Sequence, residues 1–127
     1  MTHQILLVED FNLLSEIIAE YLTLAGHQVH RVRNADDAFA YATSAPVDLG
    51  IFDVQLSNQD GISLANEMHR LYKTPIIMMT GSAAKDESRC RTELAEATRV
   101  IEKPFTLTEL QREVTRILET TSPGAES

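Results

Sequence analysis

Four short stretches of this chain place reactive side chains directly after apolar runs. Glu9-Asp10 follows Ile5-Leu6-Leu7-Val8, and Asp53 follows Leu49-Gly50-Ile51-Phe52. Thr80-Gly81 follows Ile76-Ile77-Met78-Met79, and Lys103-Pro104 follows Val100-Ile101-Glu102. After Asp53 the chain runs into polar turn-formers and a glycine, Ser57-Asn58-Gln59-Asp60-Gly61, so it leaves the core there. Three carboxylates gathered in one place repel one another unless a cation sits among them. Carboxylate oxygens suit a hard divalent ion, and magnesium is the common one that keeps several waters. Lys103 is a compact cation suited to phosphate. Thr80 offers a hydroxyl donor, and Gly81 lets a ligand approach the backbone. A metal, a lysine, a hydroxyl and a central aspartate are the set needed to receive a phosphoryl group. Asp53 would be the nucleophile and form an aspartyl phosphate. Magnesium and Lys103 would neutralise the transferring oxygens.

Taken singly, each of these residues is ordinary. An acid at a strand end is commonly a helix cap, and a lysine before proline is commonly solvated. What gives them weight is a chain that brings them all to one edge. Residues 4–8 read as a central strand. Leu13, Leu14, Ile17, Ile18, Tyr21 and Leu22 recur at helical spacing, with Gly26 as the stop. Residues 28–32 alternate as an edge strand does. Asn34 can cap a helix carrying Ala38, Phe39 and Ala42 that ends before Pro46. Residues 47–53 form the third strand, and Gly61 opens a helix with Leu64, Ala65, Met68, Leu71 and Tyr72 on one face. Residues 75–80 form the fourth strand. A helix over 85–97 follows, charged and thin in apolar residues, so it is expected to be held loosely. Val100 and Ile101 mark a short fifth strand. Thr106-Leu107-Thr108-Glu109 has the form of a capping box ahead of a last helix bearing Leu107, Leu110, Val114, Ile117 and Leu118.

Strands alternating with helices imply a doubly wound parallel sheet covered on both faces, an α/β fold. With five strands in the order 2-1-3-4-5, the ligand crevice lies between strands one and three, at their carboxyl ends. Those are the two strands that end in acids.

The bulk numbers agree. A chain of 127 residues with 43% hydrophobic and 24% charged residues suits one globular domain. A formal charge of -8 argues against unaided binding to nucleic acid or to an anionic membrane. Cys90 is the single cysteine, so no internal disulfide forms, and a reduced, cytoplasmic setting is expected. The apolar run 5–8 is too short for a signal peptide, and no segment approaches a membrane span of about 20 apolar residues. Four histidines, His3, His27, His30 and His69, show no metal-ligand spacing and are expected at the surface.

In sum and order, Leu7-Val8-Glu9-Asp10, Phe52-Asp53-Val54-Gln55-Leu56 with Asp60-Gly61, Met79-Thr80-Gly81 and Lys103-Pro104-Phe105 resemble the motifs of two-component response-regulator receiver domains. The resemblance covers residues 5 to about 118. It implies the flavodoxin-like (CheY-like) form of the sheet with five helices, a receiver unit over 1–119, and a flexible tail or linker start over 120–127. It implies that Asp53 accepts the phosphoryl group of a phosphohistidine on a sensor histidine kinase or a histidine phosphotransfer protein. By the same resemblance Asp10 binds magnesium directly, Glu9 acts through water, and Asp53 and the backbone carbonyl of Gln55 complete the protein ligands. Thr80 turns inward to the phosphoryl oxygen and Lys103 pairs with it. A cis Lys103-Pro104 bond and a homodimer through the face of helix four, strand five and helix five also follow from it. Such a domain signals rather than turning over a substrate.

The chain departs from the family in places. Ser57 stands where proline is usual. Val100 stands where many members carry a switch aromatic, and Ala95-Glu96-Ala97-Thr98 replaces a glycine-containing turn. In the family the side chains two residues after the phosphoacceptor and two after the threonine influence how water reaches the phosphoryl group. Here these are Gln55 and Ser82, both uncharged, and the resemblance implies a phosphoryl lifetime of moderate length. A haloacid-dehalogenase-type phosphatase would need an acid at Gln55. A flavodoxin-type flavin module would need a phosphate-friendly loop where Glu9-Asp10 stands. An interaction module that no longer takes phosphate would have less need of the complete residue set.

Overall fold

A computed structural model describes residues 2–56, 60–81, 84–94 and 98–121, with only the backbone of 84–87 and 120–121. Strands and helices alternate along the chain: β1 Gln4–Val8, α1 Asn12–Leu24, β2 Gln28–Val32, α2 Ala35–Ser44 and β3 Leu49–Asp53. After these come α3 Gly61–Tyr72, β4 Ile76–Thr80, α4 Ala84–Glu93, β5 Arg99–Glu102 and α5 Leu107–Thr121. All four strand pairings are parallel, in the order β2-β1-β3-β4-β5. This is the doubly wound α/β fold that the alternation predicts.

Side chains on a strand alternate between the two faces of a sheet, and here each face owns a core. Leu6, Val8, Phe52, Ile76 and Met78 face α2, α3 and α4, where Ala38, Ile62, Ala65, Met68 and Cys90 meet them. Ile5, Leu7, Ile51, Ile77 and Met79 face α1 and α5, packing on Ile18, Leu22, Leu110, Val114 and Ile117. Every residue of β3 and β4 is buried, as expected of strands covered on both sides. The edge strands β2 and β5 are mostly exposed and carry Arg31, Arg99 and Glu102, charges that discourage edge-to-edge pairing.

Local chemistry sets the element ends. Gly26 has φ 103°, its N–H donates to Thr23 O at 3.0 Å, and the His27 N–H donates to Leu22 O at 3.1 Å. This double bond pattern closes α1 and needs a left-handed residue at Gly26. Asn34 Oδ1 accepts the Asp37 N–H at 2.8 Å and caps α2. Thr106 Oγ1 accepts the Glu109 N–H at 3.0 Å and caps α5.

Some boundaries differ from the sequence expectation. β3 starts at Leu49 rather than at 47, and β4 at Ile76 rather than at Pro75, which has no N–H to give a ladder. α4 spans Ala84–Glu93, shorter than 85–97 at its far end. Residues 95–97 lie outside the described residues, as do Ser57, Ser82 and 122–127. α5 continues through Thr121. His3 and His27 are half-buried rather than superficial, with ring centroids 5.9 Å apart where β1 and β2 begin. His30 stacks on Tyr41 at 3.8 Å.

Candidate functional site

The carboxyl ends of β1, β3, β4 and β5 meet at one edge of the sheet. The parallel register sets Val8 beside Phe52, Asp53 beside Met79, and Thr80 beside Glu102. The residues immediately after each strand therefore arrive together. Main-chain bonds carry the strand order past the strand ends. Val54 N–H donates to Met79 O at 3.0 Å, and Lys103 N–H donates to Thr80 O at 2.7 Å.

Asp53 is 7% exposed and Glu9 only 1%. Buried carboxylates need partners, and these have them. Lys103 Nζ donates to Asp53 Oδ2 at 2.7 Å and to Glu9 Oε1 at 3.1 Å. The Gln55 N–H donates to Asp53 Oδ1 at 2.9 Å, and the Phe11 N–H to Glu9 Oε2 at 3.0 Å. Carboxylate oxygens of Glu9, Asp10 and Asp53 all lie within 4.8 Å of one another.

Such a cluster carries an electrostatic cost. Burial, with the Asp53 carboxylate beside it, pushes the Glu9 carboxyl up to about 7, beyond what the Phe11 N–H and Lys103 offset. Burial alone would lower Lys103, but the carboxylates of Asp53 and Glu9 outweigh it and hold its ammonium charged above the usual lysine value. One lysine for three acids leaves the edge short of positive charge. Oxygen donors this close, one of them driven to keep its proton, fit a hard divalent cation.

Thr80 is buried, and its Oγ1 donates to Gly81 O at 3.1 Å, so its hydroxyl is turned to its own loop. The Lys103-Pro104 bond is cis. Gly61 holds the other side of the site. Its N–H donates to Val54 O at 2.9 Å, and a Cβ there would stand 1.9 Å from Asp53 O. Only glycine lets α3 begin this close to the end of β3.

The six positions singled out in the sequence, Glu9, Asp10, Asp53, Gln55, Thr80 and Lys103, thus converge at one edge. Two long-range pairings, Asp60 with Arg89 and Arg31 with the start of α1, carried no local signal. Asp60 caps α3 through the Ile62 N–H at 3.2 Å and also pairs with Arg89 of α4. Arg31 of β2 donates to Ser15 Oγ at 2.9 Å and to Asn12 Oδ1 at 2.8 Å, steadying the first turn of α1 beside Glu9-Asp10.

A five-stranded parallel sheet in this order, with acids and a lysine at its switch point, is the flavodoxin-like class of doubly wound domain. The chain belongs to the response regulator receiver domain family, whose model matches residues 5–115. It is 30% identical over 125 residues to the transcriptional regulatory protein BaeR of Escherichia coli, covering 98% of this chain and 52% of that protein. It is 31% identical over 123 residues to the transcriptional regulatory protein SrrA of Staphylococcus aureus, covering 95% of this chain and 50% of that protein. The chain thus spans about half the length of the curated relatives it matches. Among solved structures, the signal receiver domain of a signal transduction histidine kinase from Syntrophus aciditrophicus superposes with TM-score 0.86 at 28% identity, covering 95% of this chain and 93% of that one. The signal receiver domain of an HD domain-containing protein from Pseudomonas fluorescens superposes with TM-score 0.85 at 28% identity, covering 94% and 97%. No helix among the described residues is long and apolar enough to cross a membrane.

Proposed function

We propose that this receiver domain takes a phosphoryl group onto Asp53 from a phosphohistidine on a sensor histidine kinase or a histidine phosphotransfer protein. The observation that carries this is the position of Lys103 Nζ, bonded to both Asp53 and Glu9 at the shared strand edge. An Asp53 carboxylate oxygen attacks phosphorus, the phosphorus–nitrogen bond breaks, and the imidazole leaves with its electron pair. Lys103 neutralises charge on the transferred oxygens. Thr80 exchanges its bond to Gly81 O for one to a phosphoryl oxygen. Glu9, Asp10, Asp53 and the Gln55 carbonyl would hold magnesium, which supplies charge stabilisation at the phosphoryl oxygens. On the approach to the edge, Phe11 is 61% exposed, and Leu13 and Ile17 of α1 are exposed beyond it. Exposed apolar side chains of this size suit a protein partner more than a small molecule.

Residues 1–119 form the receiver unit in this reading, and 120–127 a tail or the start of a linker. A homodimer would use the α4–β5–α5 face. There Val100 is 45% exposed, and Glu113 pairs with Arg99 at 2.9 Å and with Arg116 at 3.6 Å. Concentration-dependent sedimentation with and without a phosphoryl mimic tests that assembly.

The experiment for the central claim is incubation with a small phosphodonor and magnesium, followed by intact-mass analysis. The expected result is one phosphoryl group per chain, lost in Asp53→Ala and in excess chelator. Full phosphorylation of Asp53→Ala, or phosphorylation without a divalent cation, overturns it.

A further inference from the structure

The loop that carries Glu9 and Asp10 lies between the end of β1 and the start of α1, and β2 holds it at both ends. On the strand side, the Glu9 N–H donates to Val32 O at 3.2 Å, which carries the β1–β2 pairing one residue past β1. On the helix side, α1 starts without a capping side chain. Its N-cap position is Phe11, and its first turn holds no acid. Arg31 reaches that turn from β2. Its Nε donates to Ser15 Oγ at 2.9 Å, and its Nη2 to Asn12 Oδ1 at 2.8 Å and to Asn12 O at 3.4 Å. Ser15 is buried, and its N–H donates to Phe11 O at 3.1 Å. The Phe11 N–H in turn donates to Glu9 Oε2 at 3.0 Å. Arginine, first helical turn, Phe11 amide and Glu9 carboxylate are thus joined by successive contacts.

We propose that Arg31 is a positioning residue for the divalent cation: by fixing the first turn of α1 it sets where the Glu9 and Asp10 oxygens stand for the metal. This rests on the magnesium site of the function proposed above. Glu9 is almost wholly buried, with Oε1 held by Lys103 and Oε2 by the Phe11 N–H, so a shift of Phe11 turns the carboxylate. Hydrogen bonds to a ligand from outside the coordination shell commonly set metal affinity. The charge of Arg31 gives no help in this place. A helix N-terminus carries partial positive charge, which repels a guanidinium beside it. A cation near three acids also competes with a metal for them. What the guanidinium supplies is geometry. Its planar fork of donors spans Asn12 and Ser15, neighbours one turn apart on α1, as a point charge cannot.

The test is a magnesium titration of the full chain followed by amide NMR. It reads affinity on the folded protein, so a residue that merely supports the fold leaves the result unchanged. Arg31→Gln is expected to weaken magnesium binding about three- to tenfold, less than the loss of a direct partner of a ligand, since Arg31 acts one contact further out. The sign of the change separates geometry from charge. Removing a cation near the acids would by charge alone tighten the metal, so a weaker site reports displaced ligands. Arg31→Lys, which keeps the charge and loses the fork, is expected to weaken binding as much as Arg31→Gln. Asn12→Ala, at an exposed position, is expected to weaken binding about twofold and to add nothing to Arg31→Gln. The assignment is overturned if Arg31→Gln binds magnesium as tightly as the wild type or more tightly, if Arg31→Lys restores wild-type affinity, or if the Asn12→Ala and Arg31→Gln effects add in full. Should neither Arg31 variant fold, unchanged affinity in Asn12→Ala overturns it. A wild type that binds no magnesium overturns the metal site and this role together. A wild type whose magnesium affinity follows Arg31, but which takes no phosphoryl group from a small donor, overturns the phosphoacceptor function alone.

Discussion

Lys103 crosses the width of β4 to reach Asp53, its Nζ lying 2.7 Å from Asp53 Oδ2, although the two residues are 50 positions apart in the chain. The Thr80 carbonyl takes the Lys103 N–H, so the lysine backbone is pinned to one neighbouring strand while its side chain serves the next. In the proposed transfer, the acid that attacks phosphorus is thereby held close to the cation that would stabilise the product charge.

This arrangement separates two roles by substitution. Lys103→Met should slow phosphorylation by a small donor at least about tenfold, since a charge-stabilising contact is lost. Magnesium affinity, measured by titration, should hold or rise, because a competing cation has left the carboxylates. A parallel loss of magnesium binding would mean that Lys103 supports the acids rather than the transfer.

Gly61 and Gly81 should respond in opposite ways to alanine. A Cβ at Gly61 meets Asp53 O at 1.9 Å, whereas one at Gly81 meets nothing within 4 Å. Gly61→Ala should cost about 2–4 kcal/mol in denaturant unfolding and impair phosphorylation with it. Gly81→Ala should stay within about 0.5 kcal/mol of the parent. Equal effects would refute the close approach of α3 to the end of β3.

Gly50 and Phe52 form a compensating pair on one face of β3. A Cβ at Gly50 would lie 2.7 Å from Phe52 Cε1 and 2.8 Å from Ile76 Cδ1, so the ring occupies the space that glycine leaves. Gly50→Val should destabilise by about 1–3 kcal/mol through overpacking. Adding Phe52→Leu should recover part of that loss, and a double-mutant cycle in urea measures the coupling. Strict additivity would show that the two sites do not share volume.

At the opposite edge, burial holds His27 below the ordinary histidine value, with His3 adding to the shift. A histidine whose folded pKa is depressed leaves the unfolded chain the better proton binder, so stability rises with pH. Its contribution is complete above about pH 6.5 and is lost as pH falls below that. Between about pH 7.5 and 5.5, the fall of Tm should therefore be shallower in His27→Gln than in the parent. Identical slopes would rule out a titrating role for His27.

Much of this protein was legible in its residues because the signals are local. Each apolar run ends in its reactive side chain, and helical spacing between runs dictates a parallel sheet. The right-handed crossover rule then leaves few ways to order the strands. Asp53, Lys103 and Glu9 could thus be assigned to one edge before any distance was known. The helix ends at Asn34, Gly26 and Thr106 were legible too, since a cap acts within a few residues. Tertiary structure decided what depends on partners far apart in the chain. Nothing near Arg89 announces Asp60, 29 residues away, and nothing near Gly50 marks it as room for a ring. The half-burial of His3 and His27 likewise follows from β1 and β2 starting side by side. Periodicity says which face of an element is buried. Which side chain fills which space, and which charge finds which partner, is settled only when the packed elements impose a distance.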